Sequence, residues 1–396
     1  MSRSFADIQV RLDKLEQRSM YRRRKVVESP QGRELLVDGR RLLNFCSNDY
    51  LGLANDPRIR ASFKAGVDRW GVGAGASHLV CGHTAAHHEL EDRLADITGR
   101  PRALFFSSGY AANLGVINAL VGKHDCVLED RLNHASLLDG GWISRARFEW
   151  YEHACVDDLD NRLADVIADG GRQLVISDGV FSMDGDRCPL EALVRVAGQR
   201  DAWLMIDDAH GFGVIGKCGV GSVDPARYDT RQVPVLMATL GKAVGTSGAF
   251  VCGDDSLIEF LIQRARNYIY TTALPAALAE ATLKSLEIVA SEHWRREKLA
   301  ELISRFRRRA GELDITVLPS DTPIQPVVVG DAVAVLAASQ ALAARGFMIT
   351  AIRPPTVPLG TSRLRITLTA EHTHEDIDRL VTALGEVLAS SANITG

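Results

Sequence analysis

Apolar positions along this chain change their spacing several times, and each change predicts an element. Phe5, Ile8, Leu12 and Leu15 recur at helical intervals, so an amphipathic helix is expected within residues 3–24. Leu35 to Phe45, interrupted by Asp38-Gly39, reads as a short hairpin. From residue 56 to 285, continuous apolar runs alternate with helical patterns. The runs are Ala103–Phe106, Cys126–Leu128, Leu174–Ile176, Trp203–Ile206, Val235–Met237 and Ala249–Val251. Runs without polar alternation predict strands buried on both faces, hence an α/β fold with a mostly parallel sheet covered by helices.

The composition shifts after Pro275. Residues 276–312 are rich in Ala, Leu, Glu and Arg and read as one long helix. Beyond it, strands are expected near Gln325–Val329, Met348–Ile352 and Leu364–Leu368, followed by a helix from His374 to Ala389. The expected plan is an N-terminal arm and helix (1–55), a large α/β domain (56–285) and a smaller C-terminal α+β domain (286–396).

Bulk properties narrow the function by exclusion. The 396 residues allow two domains, and 46% apolar with 24% charged residues is the balance of a soluble globular protein. A net charge of −4 gives no nucleic-acid footprint. The longest basic run, Arg22-Arg23-Arg24-Lys25, suits a solvated face or an anion contact. Seven cysteines without a Cys-x-x-Cys pair, and no histidine clustering at metal spacing, point to a reducing compartment and no metal. The N-terminus has no apolar leader and carries Asp7, Asp13 and Glu16. No apolar run reaches the roughly 18 residues of a membrane span, so a cytoplasmic location is expected.

The candidate chemistry lies where the runs end. Trp203–Ile206 is followed by Asp207-Asp208-Ala209-His210-Gly211, and Val235–Met237 by Ala238-Thr239-Leu240-Gly241-Lys242. Taken singly, Asp207 could cap a turn and Lys242 could be a surface lysine. Together they suit pyridoxal phosphate (PLP): a carboxylate for the pyridine nitrogen, the His210 imidazole for the ring hydroxyl, and an amine to carry the aldehyde as a Schiff base. Ser107-Ser108-Gly109-Tyr110-Ala111-Ala112-Asn113 passes from a strand into a helix. N–H groups around Gly109 and Tyr110 would face a phosphate there, although a Ser-Gly turn alone is ordinary. His134 follows another strand end and suits stacking on the pyridine ring; a lone loop histidine is more often a surface residue. Ser182, in a loop of Gly and Asp, is placed to bond the ring oxygen.

These segments resemble the α-oxoamine synthases, a family of fold-type I PLP enzymes that join an amino acid to an acyl thioester with loss of carbon dioxide. The resemblance runs from Asn44-Phe45-Cys46-Ser47-Asn48-Asp49-Tyr50-Leu51-Gly52-Leu53 to Arg363-Leu364-Arg365 and includes His134, Asp207–Gly211 and Thr239–Lys242. It implies a seven-stranded sheet and a shared site at the interface of a homodimer. Thr350-Ala351-Ile352-Arg353-Pro354-Pro355-Thr356-Val357-Pro358 is similar to the branch that condenses L-alanine with a pimeloyl thioester in biotin biosynthesis. The thioester would be carried by coenzyme A or acyl-carrier protein.

The resemblance implies particular roles. Lys242 would hold PLP and take the α-proton, and Asp207 would keep the ring nitrogen protonated. Arg353, with Asn48, His134 and Thr356, would bind the alanine carboxylate, and Arg22 would contact substrate. Ser108, Gly109, Tyr110, Ser182, His210 and Thr239 would hold the cofactor. Thr271 and Thr272, before Pro275, would reach the partner's phosphate or simply end a helix. A sister synthase using another amino acid or thioester is the first alternative. A PLP-fold subunit without catalysis is the second, although such a subunit would be expected to lack the lysine.

Three places depart from the family pattern. Gly73-Ala74-Gly75-Ala76-Ser77-His78 replaces a Gly-Gly-Ser-Arg run, Leu240 replaces phenylalanine, and Asp178 replaces glutamate. Asp178, one methylene shorter, is expected to reach its partner through water.

Overall fold

The computed structural model describes residues 5–166 and 171–392. It divides into two compact units: residues 49–182 with 186–297, and residues 1–48 with 183–185 and 298–396.

The first unit is built on seven strands: β1 (Arg102–Phe106), β2 (Cys126–Asp130), β3 (Arg147–Tyr151), β4 (Gln173–Asp178), β5 (Trp203–Asp207), β6 (Val235–Thr239) and β7 (Ala249–Gly253). Their order across the sheet is β1-β7-β6-β5-β4-β2-β3. Only β7 runs antiparallel to its neighbours. Both faces are covered. Leu128, Val175, Leu204, Leu236 and Phe250 pack on one side, and Val127, Leu174, Met205, Val235 and Val251 on the other. This double burial explains why six strands read as unbroken apolar runs. The seventh, β3, escaped that reading because Arg-Phe-Glu-Trp-Tyr is a half-exposed edge strand with charged residues at its first and third positions.

The helices start where the sequence supplies caps. Asp56 accepts from the Arg58 N–H ahead of helix Pro57–Trp70, and Ser108 accepts from Ala111 N–H ahead of helix Gly109–Leu120. Gly66 lets helix Pro57–Trp70 approach helix Ala276–Ser291 closely, since a Cβ there would lie 2.8 Å from the Ala277 Cα. The expected long helix over 276–312 is two helices, Ala276–Ser291 and Trp294–Glu312. An ion-pair cluster accompanies the break. Glu292 takes Arg58 at 2.6 Å and Arg295 at 2.8 Å, while Arg295 also donates to the Leu51 carbonyl at 2.7 Å.

In the second unit, the N-terminal helix spans Ala6–Gln17, shorter than the 3–24 window, whose first two residues lie outside the described residues. Ser19 sits at φ 56° just beyond, a left-handed turn that stops the helix. The hairpin forms from Glu34–Val37 and Arg40–Asn44. The single strand expected over 348–352 is two. Phe347–Met348 adds parallel to Arg40–Asn44, and Thr350–Ile352 pairs antiparallel with Ser362–Thr367 in another sheet. Buried Ile349 lies at the changeover. That first pairing draws residues 1–48 into one unit with 298–396. A reading along the chain, which separated 1–55 from 286–396, has no access to such a pairing.

Candidate active site

A cavity of about 180 Å³ opens at the carboxyl ends of the parallel strands and is lined by Gly109, Tyr110, Asn113, His134, Ser136, Asp178, Ser182, Asp207, Ala209, His210, Met237, Thr239 and Lys242. Strand ends are where an open α/β sheet places its ligands. β1, β2, β4, β5 and β6 each deliver part of the lining through the loop that follows.

Asp207 forms one wall. Its carboxylate is fixed by two donors, the Ala209 N–H at 2.9 Å and the Asn113 amide at 2.8 Å. Asn113, fully buried, also donates to the Ser136 hydroxyl at 2.9 Å. Lys242 Nζ lies 2.8 Å from His210 Nε2, and His210 Nδ1 lies 2.7 Å from the Tyr50 hydroxyl. Amine, imidazole and phenol thus form a relay that holds the lysine in place.

His134 caps helix Ala135–Ile143 and accepts from the Ser136 N–H. Its own N–H donates at 2.7 Å to Asp178, which reaches it directly and not through water. Asp178 and Asp207 face each other in register on β4 and β5. Burial, with the neighbouring Asp207 charge, pushes the Asp178 carboxyl well above the usual carboxylate range. Burial pushes the His134 pKa down; the Asp207 charge opposes that shift and Lys242 adds to it.

The sequence profile of the family described as aminotransferase class I and II matches residues 40–384. The chain belongs to the class I and II aminotransferase family. A relative from Pseudomonas syringae pv. tomato, named 8-amino-7-oxononanoate synthase, is 57% identical over 378 residues, covering 96% of this chain and 95% of the relative. Among solved structures, a serine palmitoyltransferase from S. paucimobilis with bound PLP matches with a TM-score of 0.92 at 28% identity, over 98% of each chain. An 8-amino-7-oxononanoate synthase from Francisella tularensis matches with a TM-score of 0.77 at 30% identity, over 88% of this chain and 98% of that one. The architecture is that of the fold-type I PLP transferases.

The donor set of this aminotransferase-family site fits PLP. The first N–H groups of helix Gly109–Leu120 have no acceptor inside the helix. Ser108 takes that of Ala111, and those of Gly109 and Tyr110 remain at the cavity edge for an anion. Asp207 supplies a carboxylate for a pyridinium, and Lys242 supplies the only primary amine in the lining. Ser108 therefore acts as the helix cap. Thr239 lines the cavity while its hydroxyl donates to the Gly248 carbonyl at 3.0 Å.

Not every expected residue is gathered here. Thr271 and Thr272 line a separate small cleft with His78, Ser107 and Tyr268. Arg22, Arg353 and Thr356 belong to the other unit and line a cavity of about 740 Å³ with Tyr21, Arg23 and Lys25. Arg353 Nη2 donates to the Tyr21 carbonyl at 2.8 Å, while its Nε is buried with no hydrogen-bond partner among the described residues. Asn48 accepts from Arg365 at 3.1 Å in that unit. Asn113, Ser136 and Tyr50 were missed as site residues. Nothing in their local spacing marks them, although all three stand inside segments already singled out, Ser136 in the stretch Leu132-Asn133-His134-Ala135-Ser136.

One expectation is corrected. The sequence reading found no histidine clustering at metal spacing, yet His78, His83, His87, His88 and Glu91 are brought together. His83 immediately precedes the Thr84 cap of helix Ala85–Thr98, and His87, His88 and Glu91 follow in its first two turns, so the helix itself gathers them.

Proposed function

We propose that this chain is a PLP-dependent acyltransferase that condenses L-alanine with a pimeloyl thioester, giving 8-amino-7-oxononanoate for biotin biosynthesis. The geometry supporting the chemistry is the Lys242 amine and the Asp207 carboxylate converging on one cavity. Near-full-length identity to a relative of that name supports the substrates. Bound PLP would supply an electron sink for negative charge developing on the alanine α-carbon.

The chain's own residues do the rest. Lys242 Nζ anchors the cofactor and takes up the α-proton, and the His210–Tyr50 relay keeps that amine in position. Asp207, its two oxygens oriented by Ala209 and Asn113, holds a proton at the pyridine nitrogen. His134, pinned through its backbone by Asp178, would stack on the ring, and Ser182 and Thr239, which line the same cavity, would help to hold it. The N–H groups of Gly109 and Tyr110 would hold the phosphate. Arg353, which lines a cavity with Arg22 and Thr356, supplies a guanidinium for the alanine carboxylate, assisted by Asn48 and Thr356, and Arg22 contacts the acyl substrate. In the overall reaction the alanine α-carbon gives up its proton and bonds the thioester carbonyl carbon, the C–S bond breaks and the thiolate takes up a proton, and the carboxylate departs as carbon dioxide while a proton takes its place on the α-carbon.

The working form is proposed to be a cytoplasmic homodimer in which Thr271 and Thr272 of each subunit serve the partner's phosphate. No helix among the described residues is long and apolar enough to cross a membrane. The test is a panel of L-alanine, glycine and L-serine with pimeloyl-coenzyme A, read as release of free thiol. Release with L-alanine well above the other two supports the reading. Preference for glycine or serine replaces it with a sister synthase.

A further inference from the structure

The histidine cluster at the start of helix Ala85–Thr98 has a layout that the proposed chemistry does not use. Two of its members are committed to the fold. His87 Nδ1 accepts from the Thr84 N–H at 3.1 Å, and its Nε2 lies 2.8 Å from the Leu274 carbonyl, so neither nitrogen is available. His78 stacks on Tyr268 with ring centroids 4.9 Å apart, and its Nδ1 lies 3.0 Å from His83 Nδ1. The second contact directs His83 Nε2 the other way, to 4.0 Å from Glu91 Oε2. Glu91 Oε1 already accepts from the Phe105 N–H at 2.9 Å, leaving Oε2 as its outward oxygen. His88, one helical turn before Glu91, completes a group whose ligand atoms all lie within 4.8 Å of one another.

The three side chains border a cavity of about 240 Å³, which shares no lining residue with the Lys242 cavity. Arg102, the nearby cation, is engaged by Glu259 at 3.3 Å and faces Asp255.

We propose that His83, His88 and Glu91 form a binding site for a divalent transition-metal ion of the zinc class, with His78 orienting the His83 ring. Two imidazoles and one carboxylate suit borderline ions and not magnesium or calcium, which demand oxygen ligands. Three protein ligands leave coordination positions for water. His78 is a positioning residue: by bonding Nδ1 it fixes which nitrogen of His83 faces the ion. The ion would tie the loop at His83 to the helix carrying His88 and Glu91.

The test titrates PLP-loaded protein with Zn²⁺ against a chromophoric chelator. Wild type should take up one Zn²⁺ per chain at this site. His88 is exposed, so His88→Ala leaves packing intact and should weaken binding at least ~10-fold. His83→Ala and Glu91→Gln should do the same, with unchanged PLP content confirming that each variant is folded. His78→Ala should weaken binding about 10-fold through misorientation of His83. Cys81→Ser, which removes the exposed thiol nearby, should bind as wild type does. Equal affinity in wild type and His88→Ala, no uptake by wild type at micromolar Zn²⁺, or loss of uptake in Cys81→Ser overturns the proposal.

Discussion

Replacing His153 by glutamine should remove stability that depends on pH, and the structure sets its size and sign. His153 bridges Asp130 at the end of β2, 3.0 Å from Nδ1, and Asp186, 2.9 Å from Nε2. Asp130 also accepts from the Leu132 and Ala154 N–H groups, so the bridge braces the turn that leads to His134. Burial alone would lower the His153 pKa, but the two carboxylates outweigh it and raise it to about 10. The folded pKa thus lies above the unfolded value near 6.5. The stabilisation is complete below pH ~6.5, declines as pH rises, and is gone above about 10.

At about 1.4 kcal/mol per pKa unit, that shift sets a ceiling of roughly 5 kcal/mol. Partial exposure of both side chains and the desolvation of the pair reduce the net effect to about 2 kcal/mol. Glutamine also forfeits the edge contact with Phe181, 4.4 Å between ring centroids, which adds a deficit independent of pH. The assay is urea unfolding of wild type and His153→Gln at pH 6, 8 and 10. The gap in midpoint should be largest at pH 6 and narrow to the packing deficit by pH 10. A gap that stays constant across this range would refute the charged bridge.

Three further outcomes follow from the site geometry. Asn113→Ala removes a charge-assisted donor to Asp207, worth about 1.5–3 kcal/mol, so turnover should fall roughly 10- to 100-fold with PLP content retained; unchanged turnover contradicts the orienting role. Arg353→Ala should raise the L-alanine concentration required without changing PLP content, and an effect confined to the thioester dependence would move Arg353 to the acyl site. Lys242→Ala chains mixed with Thr271→Ala/Thr272→Ala chains should recover activity above either parent, because one site of each hybrid carries neither defect. Hybrids that form without recovery leave the threonines a local structural role.

Much of the sheet was legible because its strands are buried on both faces and their apolar runs need no partner to be recognised. Lys242, Asp207, His134 and His210 were legible because strand ends followed by polar turns mark ligand sites in such sheets. What escaped depends on contacts distant in sequence. β3 is an edge strand with polar alternation, and the helix break at Glu292 accompanies an ion-pair cluster that includes Arg58. Asn113 looks like any polar helix residue until the fold sets it against Asp207. The grouping of His83 with His88 and Glu91 is the exception, a local one set by the helix that begins at Ala85.

The central claim is a decarboxylative condensation, and isotope tracing tests it most directly. Pimeloyl-coenzyme A is supplied with L-alanine labelled with ¹³C at the carboxyl carbon or, in a parallel reaction, at the methyl carbon, and products are read by mass spectrometry. The account predicts that the methyl label appears in an eight-amino, seven-oxo nine-carbon acid and the carboxyl label appears only in carbon dioxide, with no product from Lys242→Ala. Retention of the carboxyl label in the condensed product, or product formation by Lys242→Ala at the wild-type rate, would contradict it.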